Sequence, residues 1–180
     1  KMSFQSFTDY LLLEKNYSSL TVKAYQNDLE DFSEFIKSKY ETNSIEKVNY
    51  AQIRSWIVSL VEGGLTNRSV NRKISALNTY YKFLLKIQNI EVNPLVKHKA
   101  LKTSKKVQVP FSETEIEMVL DDLNFGDDYE NVRNKFIIEL FYSTGIRRIE
   151  LVQLKLSDLE LDKKTLKVLG KRNKERIVPL

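Results

Sequence analysis

Cysteine is absent from these 180 residues and histidine occurs once, at His98. The first absence excludes disulfides, thiolate nucleophiles and Cys-ligated zinc. The second excludes His-rich metal clusters and any serine-protease type base other than His98 itself. No run of about 18 apolar residues is present, and the opening KMSFQSFTDY has no apolar stretch of signal-peptide type, so neither a membrane span nor secretion is expected. Acid is nearly missing from one region: residues 64–106 carry 10 basic side chains against Glu91 alone. The chemistry left open is that of Arg, Lys, Asp, Glu, Ser and Tyr. With 42% hydrophobic and 29% charged residues the composition is that of a chain that folds around a core.

The net charge of +5 is too mild to name a partner, but its distribution is informative. Residues 1–63 hold 7 basic and 9 acidic groups, residues 107–162 hold 5 and 13, and residues 163–180 return to 7 and 1. Two concentrated basic segments therefore flank an acidic one. Such clustering is the footprint of a polyanion binder, since Lys and Arg that displace counterions from phosphates supply most non-specific nucleic-acid affinity. A solvated basic surface gives the same pattern.

The first hundred residues read as helical. Phe4, Phe7 and Leu11 repeat at helical spacing, and Ser18 and Ser19 are N-cap candidates for a helix whose stripe is Val22, Tyr25, Leu29, Phe32 and Ile36. A third helix carries Tyr50, Ile53, Ile57 and Leu60 and stops at Gly63-Gly64. The fourth opens near Thr66 and carries Val70, Ile74, Leu77, Tyr81 and Leu84 until Pro94 forbids continuation. Its outer face is positive. Arg68 and Arg72 lie one turn apart, with Asn71 and Lys73 beside them, and a helix of this kind suits a major groove as well as it suits bulk solvent. Residues 97–110 read as a basic linker with Lys102, Lys105 and Lys106, in which His98 is a surface residue or phosphate contact rather than a catalyst.

A new unit opens at Ser112, with Glu115 as capping-box partner and Phe111 and Ile116 as a hydrophobic staple. Val132, Phe136 and Leu140 mark another helix, which Gly145 interrupts before a restart over Arg147–Leu154. The period then changes. Leu159–Leu161, Thr165–Leu169 and Arg176–Leu180 read as a small antiparallel meander.

Two spots concentrate charge. In Thr144-Gly145-Ile146-Arg147-Arg148-Ile149-Glu150-Leu151 a glycine break sets two arginines at a helix opening, where guanidinium forks and free amides suit a phosphate. Pairing of those arginines with Glu150 or Glu139 is the alternative. In Gly170-Lys171-Arg172-Asn173-Lys174-Glu175-Arg176 a cation-rich turn joins two strands, and a lysine there can donate a proton to a leaving oxygen or simply keep the tip soluble.

Taken together, these two motifs resemble the T-G-x-R-x-x-E-L box and the G-K-x-N-K-E-R-x-V-P-L hairpin of the tyrosine recombinases, the phage-type integrases, and most closely their bacterial Xer-type branch. Leu13 to Leu29 and Thr66 to Phe83 are similar to the family's helical core-binding domain. The resemblance implies a mainly α fold: a four-helix, SAM-like core-binding domain over 1–96, the linker, and over 111–180 the start of an α+β catalytic domain with a three-stranded antiparallel sheet. It implies Arg147 as the arginine that holds the scissile phosphate and Lys171 as the general acid. Arg68, Asn71, Arg72, Lys73, Lys102, Lys105, Lys106, Arg148, Arg172, Asn173 and Lys174 are the expected DNA contacts. No metal or cofactor is implied; the partner is double-stranded DNA, with a tetramer on two sites, a possible partner recombinase, and a cytoplasmic, nucleoid-associated location. The family's tyrosine nucleophile, second arginine and histidine-type residues would follow Leu180. The expectation is thus a piece of a longer recombinase that binds DNA without cutting it, or else a non-enzymatic DNA-binding protein, either a truncated competitor or a helical regulator.

Overall fold

The computed structural model describes residues 4–42, 44–104, 107–122, 126, 128–170 and 174–180. They form two units, Lys1–Lys106 and Val107–Leu180. The division falls inside the basic 97–110 segment, of which Leu101 lies against the core of the helical unit.

The first unit is helical, with α1 (Gln5–Asp9) continuing into a π-helical turn (Tyr10–Glu14), then α2 (Ser19–Tyr40), α3 (Tyr50–Glu62) and α4 (Asn67–Lys86). Local chemistry sets the boundaries. The Ser18, Asn49 and Thr66 side chains accept the amides of Thr21, Gln52 and Ser69, satisfying donors that a helix start leaves free. After α3 the chain turns at Gly64, at φ +85°. The α2 stripe residues Val22, Leu29, Phe32 and Ile36 are buried, as are all five stripe residues of α4. Burial of α4 extends beyond that stripe, because Tyr80 and Phe83 pack on Phe7 and Tyr10, with ring centroids 5.0–5.5 Å apart. At the centre Tyr81, fully buried, donates its hydroxyl to the Ile45 carbonyl at 2.8 Å.

The second unit holds α5 (Glu113–Asp122), α6 (Tyr129–Thr144), α7 (Arg148–Val152) and strands β1 (Leu159–Glu160), β2 (Thr165–Leu169) and β3 (Glu175–Pro179). The strands form an antiparallel sheet in the order β1-β2-β3. Helix α5 opens on the expected capping box, with Glu115 accepting the Ser112 amide at 2.7 Å. Phe111 remains 78% exposed, so the staple adds little burial. Helix α6 is specified by its ends, the Asp128 N-cap and Gly145 at φ +60°. Of its expected stripe only Leu140 is buried, while Val132 and Phe136 are exposed among the described residues. Leu140 joins Ile146, Leu166, Val168 and Val178 in a small core. Strand alternation turns Leu166 and Val168 of β2 inward, and Val178 of β3 pairs with Leu166 across the ladder.

Candidate active site and nucleic-acid interface

The turn from α6 into α7 carries the first motif. Gly145 takes the left-handed conformation and its amide bonds back to the Phe141 carbonyl. Thr144 donates its hydroxyl to the Leu140 carbonyl and accepts the Ile146 amide, and Ile146 is buried in the small core. The chain is thereby pinned on both sides of Gly145. Arg147 follows as the residue capping α7, and Glu150 lies one turn further along.

Glu150 is the hub of the site. Its side chain is 1% exposed, and its two oxygens accept four hydrogen bonds, from the Arg147 amide and Nη1 at 2.8 Å each and from Arg176 Nη1 and Nη2 at 2.7 and 2.8 Å. A carboxylate has about four lone-pair sites, and all are filled. The Arg147 contact is half of a capping box; the return bond cannot form because a guanidinium accepts nothing, and the Arg147 carbonyl takes the Glu150 amide instead. Arg176 reaches Glu150 because strand parity places it on the face of β3 that also presents Val178. Arg176 first, then the Arg147 amide, hold the Glu150 carboxyl at about 2, against the opposing effect of burial. Glu150 is therefore ionised, and with two arginines on one carboxylate the cluster keeps one net positive charge.

That surplus is presented outward. The Arg147 side chain is 65% exposed, and its Nε and Nη2 have no hydrogen-bond partner among the described residues. With Gly145, Gly170, Lys174, Glu175 and Arg176 it lines an open cavity of about 550 Å³. Gly170 closes the hairpin, its amide donating to the Lys174 carbonyl at 2.7 Å. A Cβ at Gly170 would lie 3.3 Å from both Arg176 Nη1 and Glu150 Oε1, so the glycine lets strand and ion pair approach. Lys171, Arg172 and Asn173 lie outside the described residues. The described groups suit an oxyanion: a fixed guanidinium with free donors, a second cation behind it and the exposed Lys174 on the rim.

The other expected contacts are spread over both units. In the helical unit Arg68 is exposed on the first turn of α4, whereas Arg72 and Lys73 pair with Asp28 of α2. The Asn71 side-chain amide exchanges both bonds with the Leu101 backbone at 2.9 Å, and Asn67 Nδ2 donates to the Lys102 carbonyl at 2.8 Å. Asn71 thus clamps the basic segment alongside α4, leaving the Lys102 side chain exposed. Lys105 and Lys106 lie outside the described residues. His98 meets the Tyr50 hydroxyl through Nδ1, and burial lowers its pKa. In the second unit Arg148 is exposed at the start of α7. Two members of the site carried no assigned function in the sequence reading. Glu150 had a signal, an acid three residues past a helix opening and a pairing partner weighed for the arginines, which Arg147 indeed meets; Arg176 stood in the hairpin motif, but only its parity with Val178 pointed inward.

Residues 4–88 match the family described as "Phage integrase, N-terminal SAM-like domain", and residues 119–180 match the "Phage integrase family". The chain belongs to that family, the tyrosine recombinases. Within it, the chain is 36% identical over 175 residues to the tyrosine recombinase XerC of Staphylococcus epidermidis, covering 97% of this chain and 58% of the relative. It is 38% identical over 179 residues to XerC of Oceanobacillus iheyensis, covering 99% and 58%. The chain thus spans about 58% of the length of these curated relatives. In fold it is similar to the Tn1549 transposon integrase in complex with transposon right end DNA, with a TM-score of 0.74 at 17% identity, covering 99% of this chain and 61% of that one. A lambda integrase dimer bound to a core site is similar at a TM-score of 0.71 and 17% identity, covering 99% and 62%. No helix among the described residues is long and apolar enough to cross a membrane.

Proposed function

We propose that the protein to which these residues belong is a site-specific DNA recombinase, in which Arg147 holds the scissile phosphate. The observation that carries this reading is the exposed Arg147 guanidinium braced from behind by a buried, fully bonded Glu150. A donor fixed before the reaction stabilises charge that develops on the non-bridging oxygens without reorganising at that moment. In the reaction a tyrosine hydroxyl attacks phosphorus, the 3′-phosphotyrosyl bond forms, and the P–O5′ bond breaks. Lys171 supplies the proton that the 5′-oxygen takes as it leaves. The nucleophile and a second arginine are assigned to the span of the relatives that this chain does not cover, so the 180 residues alone bind DNA without cutting it. Duplex DNA is the substrate, bound through Arg68, Asn71, Arg72, Lys73, Lys102, Lys105, Lys106, Arg148, Arg172, Asn173 and Lys174. A tetramer on two sites, with or without a partner recombinase, acting at the nucleoid in the cytoplasm, completes the reading.

The test is covalent capture. The full-length protein is incubated with a nicked suicide duplex carrying its site, and the protein–DNA adduct is quantified. Arg147→Ala is expected to lower adduct formation roughly a hundredfold or more. Lys171→Ala slows cleavage of the normal substrate but not of one with a 5′-bridging sulfur, whose thiolate leaves unprotonated. An adduct that survives Arg147→Ala at the wild-type rate removes Arg147 from the chemistry. DNA binding with no adduct from the full-length protein supports the non-enzymatic alternative instead.

A further inference from the structure

The buried carboxylate of Asp28 stands outside the site described above. It lies on α2, is 3% exposed, and faces two cations of α4, 44 and 45 residues away in sequence. Arg72 Nη1 and Nη2 donate to Asp28 Oδ2 and Oδ1 at 2.5 and 2.8 Å. Lys73 Nζ donates to Oδ1 at 3.0 Å and to Asp31 at 2.6 Å. Both carboxylate oxygens are engaged. The Arg72 side chain is nevertheless 51% exposed, so the ion pair occupies one edge of the guanidinium and leaves another free.

A guanidinium has five N–H donors in a plane. End-on pairing through Nη1 and Nη2 takes one hydrogen from each, leaving Nε–H and the neighbouring Nη hydrogen as a second, parallel fork. That fork has the geometry that reads guanine O6 and N7 or grips two phosphate oxygens. Held by Asp28, Arg72 loses its rotamer freedom on folding rather than on binding, which favours a partner that matches the fixed fork. The same carboxylate lowers the local positive charge, which weakens attraction for DNA of any sequence. Lys73 donates to the same carboxylate and to Asp31, so Asp28 meets a cation besides Arg72.

We infer that Asp28 is a positioning residue for DNA recognition: it presets Arg72 as a base-reading fork on α4, raising selectivity while lowering non-specific affinity. This rests on the reading of α4 as a DNA-binding face. A carboxylate that only joined α2 to α4 would have no separate effect on selectivity, and one that acted only through its charge would lower affinity for every sequence alike.

The experiment uses the full-length protein and a library of 30-bp duplexes with a randomised centre. Sequences bound by the wild type are enriched, and affinity for the enriched pool and for the starting pool is measured for each variant. Asp28→Asn is expected to hold or raise affinity for the starting pool and to lower the enriched-to-starting ratio by about fivefold or more. Arg72→Ala lowers the ratio similarly, and the double variant does no worse than Arg72→Ala alone. Arg72→Lys keeps an ion pair with Asp28 but lacks the fork; it is expected to fold, keep the salt dependence and still lose the ratio, which covers the case in which Asp28→Asn does not fold. A ratio unchanged in Asp28→Asn or in Arg72→Lys, with Arg72→Ala impaired, overturns the inference and leaves the DNA-binding face standing. If Arg68→Ala and Arg72→Ala both leave affinity and ratio intact, the face itself is wrong and the inference falls with it.

Discussion

Replacing Gly145 by alanine isolates the cost of the turn that delivers Arg147. Gly145 sits at φ +60°, and an added Cβ would meet nothing within 4 Å, so no steric clash accompanies the substitution. What remains is backbone: a left-handed L-residue costs about 1–2 kcal/mol. Alanine also restricts the unfolded chain, returning about 0.4–1 kcal/mol. At the middle of these ranges the net loss is about 0.8 kcal/mol, and for a unit the size of Val107–Leu180 each kcal/mol moves the midpoint by roughly 4–8 °C, so the second unit's transition falls by roughly 3–6 °C. Asparagine, which tolerates this region, loses less than alanine. Gly170→Ala behaves differently, because its Cβ would press at 3.3 Å on the Glu150–Arg176 pair. Calorimetry of the three variants distinguishes the mechanisms. An alanine at 145 as stable as glycine, or an asparagine no better than alanine, would refute the assignment of the cost to φ. In the full-length protein Gly145→Ala should slow cleavage while leaving DNA affinity near wild type, since it turns Arg147 without touching α4.

Glu150 also predicts a pH dependence. Its folded pKa of about 2 lies below the ordinary value of 4.5, so the stability it contributes is complete above that ordinary value and is lost as pH falls towards 2. The urea midpoint of the second unit should therefore decline more steeply between pH 4.5 and 2 in the wild type than in Glu150→Gln; parallel curves would contradict the hub. In the first unit Tyr81→Phe leaves the buried Ile45 carbonyl without its donor, and a loss of about 1–3 kcal/mol in denaturant unfolding is expected. A negligible loss would mean that the carbonyl finds another donor.

Much of this architecture is local and therefore legible in one dimension. A helix start needs an oxygen acceptor within three residues, and Ser18, Thr66, Ser112 and Asp128 stand where the helices open. The stripe on α4 is buried as its spacing predicts. The meander follows from a period of two and two polar turns, and the two motifs that mark the family are contiguous runs. Within the segment 97–110, read as a basic linker, the backbones of Leu101 and Lys102 are held to α4 by two asparagines, a contact that composition does not show.

Local periodicity has no reach across such separations. Tyr80 and Phe83 lie off the predicted stripe and are buried only because α1 folds over them. Arg72 reads as an exposed cation until α2 brings Asp28 against it. The Glu150–Arg176 pair behind Arg147 was likewise beyond periodicity, since its two members stand 26 residues apart. Residue order and spacing determined the helices, their ends, the sheet and the family. Tertiary structure alone decided which charges are consumed in pairs and which face solvent, because a carboxylate binds whichever cation the fold brings within about 3 Å, and sequence distance does not enter that energy.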